Sequence, residues 1–312
     1  MKNLPLGIRV GASVPASAAN LGPGFDSLGL ALELRDEVRV ETVAPGDATV
    51  TVTGEGADTV DLDQNHLIIR LIGEILATRG YAAPTLSLEA KNSIPHARGL
   101  GSSAAAVSAA VVLASVLLPE DERLSIPEIF AFATTIEGHP DNVAAALSGG
   151  LTVSWALAPK MSSFTIAPVA KTLRAVVCVP SFPQSTASAR AVIPETVPHE
   201  DAVANSARTA LMMLAVDSNP MLLMDATEDF LHQEYRSGIL YDSLELMTQL
   251  RDLDLAAVIS GAGPTVLVLT HEEGPGIVEQ VSQVVDEVAD DSWRVLDLGI
   301  AEQGAKLIEH KR

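Results

Sequence analysis

Apolar positions in the first third of the chain switch between a period of two and a period near 3.6 residues, the spacings of strands and helices. Two segments with β-branched residues at alternate positions flank the turn sequence Pro45-Gly46-Asp47, which predicts a hairpin of two strands. Helical spacing follows and stops at Gly80, and another strand comes after it. The predicted strands are 38–43, 48–53 and 85–90, and the predicted helix is 67–76.

The remaining chain continues as helices, then as alternating strands and helices. Residues 156–172, with Pro159 and Pro168, are predicted to cross the surface between two domains, 1–168 and 169–312. The second domain is predicted to be an α+β sandwich with helices on one face of its sheet. The predicted helices are 104–118, 126–136, 140–147, 202–216, 240–250 and 276–288, and the strands are 151–155, 173–179, 256–260, 266–270 and 293–298.

The charge of the chain limits its partners. Its 312 residues include 20 Lys+Arg and 40 Asp+Glu, a net charge of −20, which opposes binding to phosphate backbones and to anionic membranes. The single cysteine, Cys178, excludes an internal disulfide and a multi-cysteine zinc site, and it is typical of a reducing compartment. The N-terminus has no signal-peptide pattern. We therefore expect a cytoplasmic protein with no nucleic acid partner.

One uncharged stretch, 99–118, is long enough to cross a bilayer. Its many alanines and serines make it only weakly hydrophobic, and Glu120, Asp121 and Glu122 follow at once without flanking Trp or Tyr. We predict a buried helix here and no membrane partner.

The strongest chemical signal is the segment 94–104, Ile-Pro-His-Ala-Arg-Gly-Leu-Gly-Ser-Ser-Ala. Gly99 and Gly101 permit backbone conformations that other residues avoid, and Ser102 or Ser103 is predicted to cap the helix that follows. The free N–H groups and positive dipole end of that helix would face a bulky anion. The segment predicts a phosphate-binding loop, although the glycines could simply turn a strand into a helix.

Two other phosphate-binding motifs fit this loop less well. A Walker A loop requires a lysine after its last glycine, and none follows Gly101. The pattern Gly99-x-Gly101-x-x-Ala104 satisfies the dinucleotide fingerprint, but the preceding segment 92–98 is polar and contains a proline. It does not resemble the end of a buried parallel strand, which that fingerprint requires.

Residues 95–104 resemble the ATP-binding motif of the GHMP kinase superfamily. Two further motifs of that superfamily occur in the same order, Pro-Ala-Ser-Ala-Ala-Asn-Leu-Gly-Pro-Gly-Phe-Asp at 15–26 and Ser-Gly-Ala-Gly-Pro-Thr at 260–265. The resemblance implies an α+β, two-domain GHMP kinase fold, with an N-terminal domain like domain 2 of ribosomal protein S5 and a ferredoxin-like C-terminal domain. It implies that ATP binds at Pro95, His96, Ala97, Arg98, Gly99, Leu100, Gly101, Ser102, Ser103, Ala104 and Ala105.

Segments 137–143, 185–190 and 232–236 are similar to the homoserine kinase family within that superfamily. This resemblance implies ATP-dependent phosphorylation of the side-chain hydroxyl of L-homoserine to O-phospho-L-homoserine, on the route to L-threonine. It also implies a homodimer, and Mg²⁺ held by Ser103 and Glu137. A hydroxyl and a carboxylate suit this ion, which keeps several waters.

The charged groups of an amino acid can be matched to side chains of the chain. Arg190 and Arg236 can hold the carboxylate through bidentate hydrogen bonds, and Asp26 can hold the ammonium. His139 and Asn142 can position the hydroxyl for in-line attack. Together with the residues that the resemblance adds, the predicted substrate site is Asn20, Asp26, His139, Asn142, Thr186, Arg190, Arg236 and Gly261.

The predicted catalytic residues are Asn142, His139 and Asp26. Asn142 stands where some relatives have an aspartate base, and an amide cannot accept the proton, so positioning is expected instead of base catalysis, with Asp26 as the reserve base. Each residue alone also has a structural interpretation, such as a surface arginine, a helix cap or a turn. Two alternatives remain open: a kinase for another small alcohol, such as mevalonate or a sugar, and a catalytically silent nucleotide-binding protein.

Overall fold

The structure is a computed structural model that describes residues 1–158, 161–271, 275–288 and 292–311. Its strands are β1 (Arg9–Asn20), β2 (Gly24–Thr42), β3 (Val50–Gly54), β4 (Leu86–Asn92), β5 (Leu151–Ala158), β6 (Met161–Ala167), β7 (Arg174–Pro180), β8 (Ala256–Ile259), β9 (Val266–Thr270), β10 (Trp293–Leu298) and β11 (Lys306–Lys311). Its helices are α1 (Leu67–Thr78), α2 (Ser102–Leu117), α3 (Ile126–Glu137), α4 (Asp141–Ser148), α5 (Thr186–Ala191), α6 (His199–Ala215), α7 (Leu223–Ala226), α8 (Tyr241–Arg251) and α9 (Pro275–Val288).

The first sheet has seven strands in the order β11-β1-β2-β4-β3, with the β5–β6 hairpin attached to the first part of β2. Strand β2 is 19 residues long, so it pairs with β5 near its start and with β4 near its end. The helices α1 and α2 pack together, and their apolar side chains share one core with this sheet. Burial of those side chains is the main source of stability.

The predicted hairpin at 38–43 and 48–53 is wrong in its pairing. Strand β4 lies between β2 and β3, and β3 runs parallel to β4, with Val50 opposite Leu88. A parallel pair requires a crossover, and α1 supplies it between β3 and β4. The apolar face of α1 has to cover the sheet, and this requirement places β3 next to β4. The Pro45-Gly46-Asp47 turn separates β2 from β3 in the sequence but does not pair them.

The segment predicted to cross the surface between the two domains, 156–172, contains a strand. Strand β5 extends to Ala158, and β6 pairs with it, with Val153 opposite Thr165. Phe164 of β6 packs on Phe130 of α3 at 4.6 Å between ring centroids. This single aromatic contact is hard to recognise among small polar neighbours. Pro159 lies outside the described residues.

The second sheet has the antiparallel order β10-β7-β9-β8. Helices α8 and α9 share an apolar core with one face, as predicted. The opposite face is also covered, because Val177 of β7 belongs to the larger core together with Met212 of α6. The prediction of helices on one face alone is therefore wrong. Strands such as β7, with residues 175–180 all buried, serve two cores at once.

Helix α2 differs from its prediction at its start. Gly101, in the left-handed region with φ 69°, precedes the helix, and no side chain caps it. Ser102 and Ser103 are already helical, so the predicted serine cap is wrong. The small residues of α2 let it lie deep in the first core, with 104, 105, 109 and 110 almost fully buried. Among the described residues, no helix combines the length and the apolar character that crossing a membrane needs.

Candidate active site

A cleft of about 660 Å³, open to solvent, lies where the start of α2 faces α5 and the turn between β8 and β9. Most of the side chains and glycines predicted for substrate, phosphate and metal line this one cleft. They are Asn20, Asp26, Ala97, Arg98, Gly99, Gly101, Ser102, Ser103, Glu137, His139, Asn142, Thr186, Arg190, Arg236 and Gly261.

The other predicted ATP-binding residues lie elsewhere. Leu100 and Ala104 are fully buried in the core, and Pro95 is also buried. His96 and Ala105 line a neighbouring cavity beside α2 that shares Ser102 and Ser103 with the cleft. The loop therefore lines both the cleft and the neighbouring cavity. Its apolar residues Leu100 and Ala104 anchor it in the core.

The glycines of the loop are required by close packing. Gly99 and Gly101 have φ values of 79° and 69°. A Cβ atom on Gly99 would collide with the Ser260 carbonyl, and one on Gly101 would collide with the Ser17 hydroxyl. The turn between β8 and β9 also holds the loop, because the Ser260 hydroxyl donates to the Gly99 carbonyl at 2.6 Å. The loop is thus fixed by contacts from both halves of the chain.

Arg98 supports this loop through its guanidinium. Its Nη1 donates to the His96 carbonyl at 2.7 Å, its Nε donates to the Pro180 carbonyl at 3.0 Å, and its Nη2 donates to the Ser181 carbonyl. Burial lowers the pKa of Arg98. The bonds to Pro180 and Ser181 join the loop to the end of β7, and the bond to His96 lies within the loop, so Arg98 braces the loop in addition to lining the cleft.

Ser103 and Glu137 meet at the centre of the cleft. Ser103 lies in the first turn of α2 and Glu137 ends α3, and the serine hydroxyl donates to Glu137 Oε2 at 2.8 Å. The Glu137 side chain is only 11% exposed. One hydroxyl oxygen and one carboxylate, partly shielded from water, form a donor set that Mg²⁺ prefers.

His139 and Asn142 lie beside this pair, at the start of α4. His139 Nδ1 is 2.8 Å from Asp141 Oδ1, which also accepts the Asn142 N–H at 2.7 Å. Burial lowers the pKa of His139, but the hydrogen bond and charge of Asp141 and the charge of Glu137 outweigh it, so the pKa is raised. The Asn142 side-chain oxygen accepts the Ser17 hydroxyl at 2.9 Å. Asp141 therefore holds the His139 ring and the Asn142 backbone, whereas Ser17 holds the Asn142 side chain.

Asp26 lies at the start of β2, just after the turn from β1. Asn20 and Asp26 have left-handed φ values of 72° and 55°, which aspartate and asparagine tolerate better than most residues. The Asn20 amide fixes this turn, since its Oδ1 accepts the Asp26 N–H at 3.1 Å and its Nδ2 donates to the Gly261 carbonyl at 2.8 Å. The Asp26 carboxylate receives two bonds from Arg190, at 2.6 and 3.0 Å.

Arg236 lies deeper, with 2% of its surface exposed. Its Nε donates to the Ala189 carbonyl at 3.2 Å and its Nη1 to the Gly261 carbonyl at 3.0 Å. Burial, followed by the charge of Arg190, lowers its pKa to about 10, so the guanidinium stays charged at neutral pH. Both guanidinium carbons lie 5.8 Å from the ring centroid of Phe25, which holds the two cations on one apolar surface.

Comparison with known proteins places this arrangement in a family. The model of the GHMP kinases N terminal domain matches residues 66–150. The chain is 42% identical to the homoserine kinase of Clavibacter michiganensis over 302 residues, which cover 97% of the chain and 95% of that protein. It is 46% identical to the homoserine kinase of a Mycobacterium species over 276 residues, 87% of the chain and 88% of that protein. The chain belongs to the homoserine kinase family of GHMP kinases.

A solved structure has the same fold. The homoserine kinase of Cytophaga hutchinsonii superposes with a TM-score of 0.80 at 23% identity, over 96% of this chain and 97% of that chain. The α+β GHMP kinase fold expected from the three motifs is thus confirmed.

Sequence reasoning missed several residues of this homoserine kinase family member. Asp141, which holds the His139 ring and the Asn142 backbone, is absent from the predicted site residues. The cavity beside α2 also went unpredicted, because its walls at Thr59, Asp61 and His66 come from the irregular segment before α1. A signal for that cavity existed in the cluster of polar residues between β3 and α1, but it carries no recognised spacing.

Proposed function

We propose that the protein transfers the terminal phosphoryl group of ATP to the side-chain hydroxyl of L-homoserine, giving O-phospho-L-homoserine and ADP. One observation carries this proposal: the groups suited to an amino acid, Asp26, Arg190 and Arg236, share a cleft with the start of α2. An acceptor hydroxyl and a donor phosphate bound there would be close together, and such proximity supplies much of the catalysis of phosphoryl transfer.

The nucleotide phosphates would lie at the start of α2. The N–H groups of its first turn and the positive end of the helix dipole favour an anion there. The base and ribose would occupy the adjacent cavity, because that cavity shares Ser102 and Ser103 with the cleft. Its mixture of apolar and polar walls suits a flat heterocycle with hydrogen-bonding edges.

Ser103 and Glu137 would hold Mg²⁺. Their oxygen atoms lie 2.8 Å apart, and together they leave most coordination positions to water and phosphate, as Mg²⁺ sites usually do. The ion would supply neutralisation of charge on the phosphates. Among the described residues no three His, Cys, Asp or Glu side chains group as metal ligands, which fits an ion held mainly through the nucleotide.

The amino acid would bind by replacing an internal ion pair. Asp26 would turn from Arg190 to the substrate ammonium, and Arg190 would join Arg236 on the carboxylate. The total charge in the cleft is then unchanged, because the zwitterion brings one charge of each sign.

The acceptor hydroxyl would lie near His139 and Asn142. The Asn142 amide cannot act as a general base, so its role would be to orient the hydroxyl oxygen. His139 would share that role, because Asp141 bonds to its ring and to the Asn142 backbone. Donors directed at the transferred group stabilise charge in the transition state, usually the largest contribution to such catalysis.

Three further expectations belong to this proposal: a cytoplasmic location, a homodimer, and a division into domains at 168 and 169. The boundary falls between β6 of the first sheet and β7 of the second. Strand β11 is the exception to that division, because it returns to pair with β1.

The proposal is tested by ADP release from ATP and Mg²⁺ with L-homoserine, L-serine, L-threonine, mevalonate or galactose. We expect turnover with L-homoserine, and about a tenfold or greater rise in its KM in Arg190→Ala and Arg236→Ala, because each removes a charge-assisted hydrogen bond. Arg208→Ala is the matched control, since Arg208 also pairs with a carboxylate, that of Glu228, outside the cleft.

Two outcomes would contradict the proposal. Turnover with mevalonate or galactose in preference to L-homoserine would show a kinase for another alcohol. Tight ATP binding without turnover of any substrate would show a catalytically silent nucleotide-binding protein.

A further inference from the structure

His232 is a completely buried histidine with two specific hydrogen bonds. Its Nε2 lies 2.8 Å from the Gly22 carbonyl oxygen, and its Nδ1 lies 3.0 Å from Arg236 Nη1. A carbonyl only accepts and a guanidinium only donates. Nε2 must therefore carry the proton, and Nδ1 must be the acceptor for Arg236.

This arrangement requires a neutral ring. Burial lowers the pKa of His232, and Arg236 lowers it further, while the charges of Asp229 and Asp26 and the Gly22 carbonyl act in the opposite direction. Asp229, 3.6 Å from Nε2, is the nearest carboxylate. It already accepts the backbone N–H groups of Leu231, His232 and Gln233, so its charge is largely satisfied by the short turn before Arg236.

The imidazole lies between the two parts of the chain that would hold the amino acid. Gly22 belongs to the turn between β1 and β2, and the ring of His232 stacks on Phe25 at the start of β2, next to Asp26, with 5.0 Å between ring centroids and 18° between planes. On its other side, the same ring accepts from Arg236. The His232 side chain thus links the segment that carries Asp26 to the guanidinium of Arg236.

We propose that His232 is a positioning residue for the amino acid site, where its unprotonated Nδ1 orients Arg236 and its Nε2–H fixes the turn that leads into Phe25 and Asp26. This inference rests on the proposed function, which assigns the substrate carboxylate to Arg236. Without the Nδ1 acceptor, a buried N–H of the Arg236 guanidinium would lose its partner. The guanidinium would then turn toward another acceptor. Such a loss is costly for a charged, buried donor.

Two substitutions separate the two hydrogen bonds. In His232→Asn the amide oxygen can take the place of Nδ1 and accept from Arg236, whereas in His232→Gln the longer amide reaches the place of Nε2 and retains only the bond to Gly22. We expect His232→Gln to raise the KM for L-homoserine about tenfold or more, with a smaller change in kcat and none in the KM for ATP. His232→Asn should recover most of that loss.

His271→Gln is the matched control. His271 also bridges two partners, with Nδ1 2.8 Å from the Thr172 hydroxyl and Nε2 3.1 Å from the Ala215 carbonyl, outside the cleft. It should leave both KM values unchanged. Equal losses in the Asn and Gln variants, or a wild-type KM for L-homoserine in folded His232→Gln, would overturn the proposal.

A measurement on the wild-type enzyme covers the case in which the variants do not fold. The imidazole nitrogen spectrum of protein labelled with ¹⁵N-histidine, assigned through the backbone, should show His232 with a protonated Nε2 and a bare Nδ1 at pH 6 and above. A doubly protonated ring, or a proton on Nδ1, would contradict the proposal. Absence of L-homoserine turnover in the same wild-type sample would instead count against the proposed function.

Discussion

Asp26 and Arg190 form a bidentate ion pair at the mouth of the cleft, with about two fifths of each side chain exposed. Such a pair contributes little to stability because water screens it. It can therefore exchange partners at low cost. In the proposed binding mode, a substrate with both an ammonium and a carboxylate would replace both partners, whereas one without an ammonium would leave Asp26 without its cation. That binding mode would select an amino acid through the pairing of opposite charges.

That argument predicts the behaviour of Asp26→Asn. The variant should raise the KM for L-homoserine about tenfold or more, because a charge-assisted hydrogen bond is lost. It should change little with 4-hydroxybutanoate, which has the same hydroxyl and carboxylate but no ammonium. The measurement is the ratio of kcat/KM for the two substrates. An unchanged ratio in the variant would mean that Asp26 does not contact the ammonium.

Most single elements could be predicted from the sequence, because their apolar spacing reflects burial on one side. Helix α1 and strand β9 lie where the pattern put them. The pairing of β3 with β4 and of β11 with β1 could not be predicted, because partners distant in sequence are chosen by the packing of the whole sheet. The site residues that lie in motifs line one cleft, as expected. The pairing of Asp26 with Arg190 could not be predicted, because it depends on how the N-terminal and C-terminal halves of the chain pack together.

Helix α3 illustrates how an element supports the site, because its last residue is Glu137. Its start is fixed by a capping box in which Glu128 accepts the Ser125 N–H at 2.8 Å, and Arg79 also donates to Glu128. The Ser125 bonds, and then Arg79, lower the pKa of Glu128 to about 2 from an ordinary value of 4.5. The charged carboxylate thus stabilises the folded state above pH 4.5, and this contribution is lost as the pH falls through about 2.

We therefore expect Glu128→Ala to lower the Tm at neutral pH, and the difference from wild type to shrink as the pH falls from 4.5 toward 2. Glu128→Gln should keep part of the cap, since glutamine also serves in a capping box, but it should lose the pH dependence. Thermal unfolding of the three proteins across this range is the measurement. A difference that stays constant with pH would show that the charge of Glu128 makes no contribution.

Over the whole molecule, the cleft is an exception to the surface charge. The chain carries a net charge of −20, yet in this one cleft Arg98, Arg190 and Arg236 balance the carboxylates of Asp26, Glu137 and Asp141. A cleft with balanced formal charges repels a polyphosphate less than the acidic surface around it does. The remaining negative surface opposes association with nucleic acids, so the same charge distribution favours a small anion over a large one.

The C-terminal segment returns from the second sheet, which ends with β10, to the first sheet. Strand β11 pairs with β1, placing Lys311 opposite Arg9, and Arg35 of β2 donates to the carbonyls of Gln303 and Gly304 at 3.0 and 2.6 Å. The cleft lies between parts that these contacts hold together. Separation of the sheets would thus expose the shared core and disrupt the site at once, which favours one cooperative unfolding transition.

The two tryptophans allow a direct test, because Trp155 lies on β5 of the first sheet and Trp293 on β10 of the second. In Trp155→Phe and Trp293→Phe, the remaining tryptophan reports one sheet, and we expect the two fluorescence transitions in urea to coincide. Deletion of residues 306–312 removes β11 and should lower the midpoint and separate the transitions. Transitions that already differ in the full chain would mean that the sheets unfold independently. In that case the pairing of β11 with β1 would not couple the unfolding of the two sheets, and the cleft between them could open while each sheet stays folded.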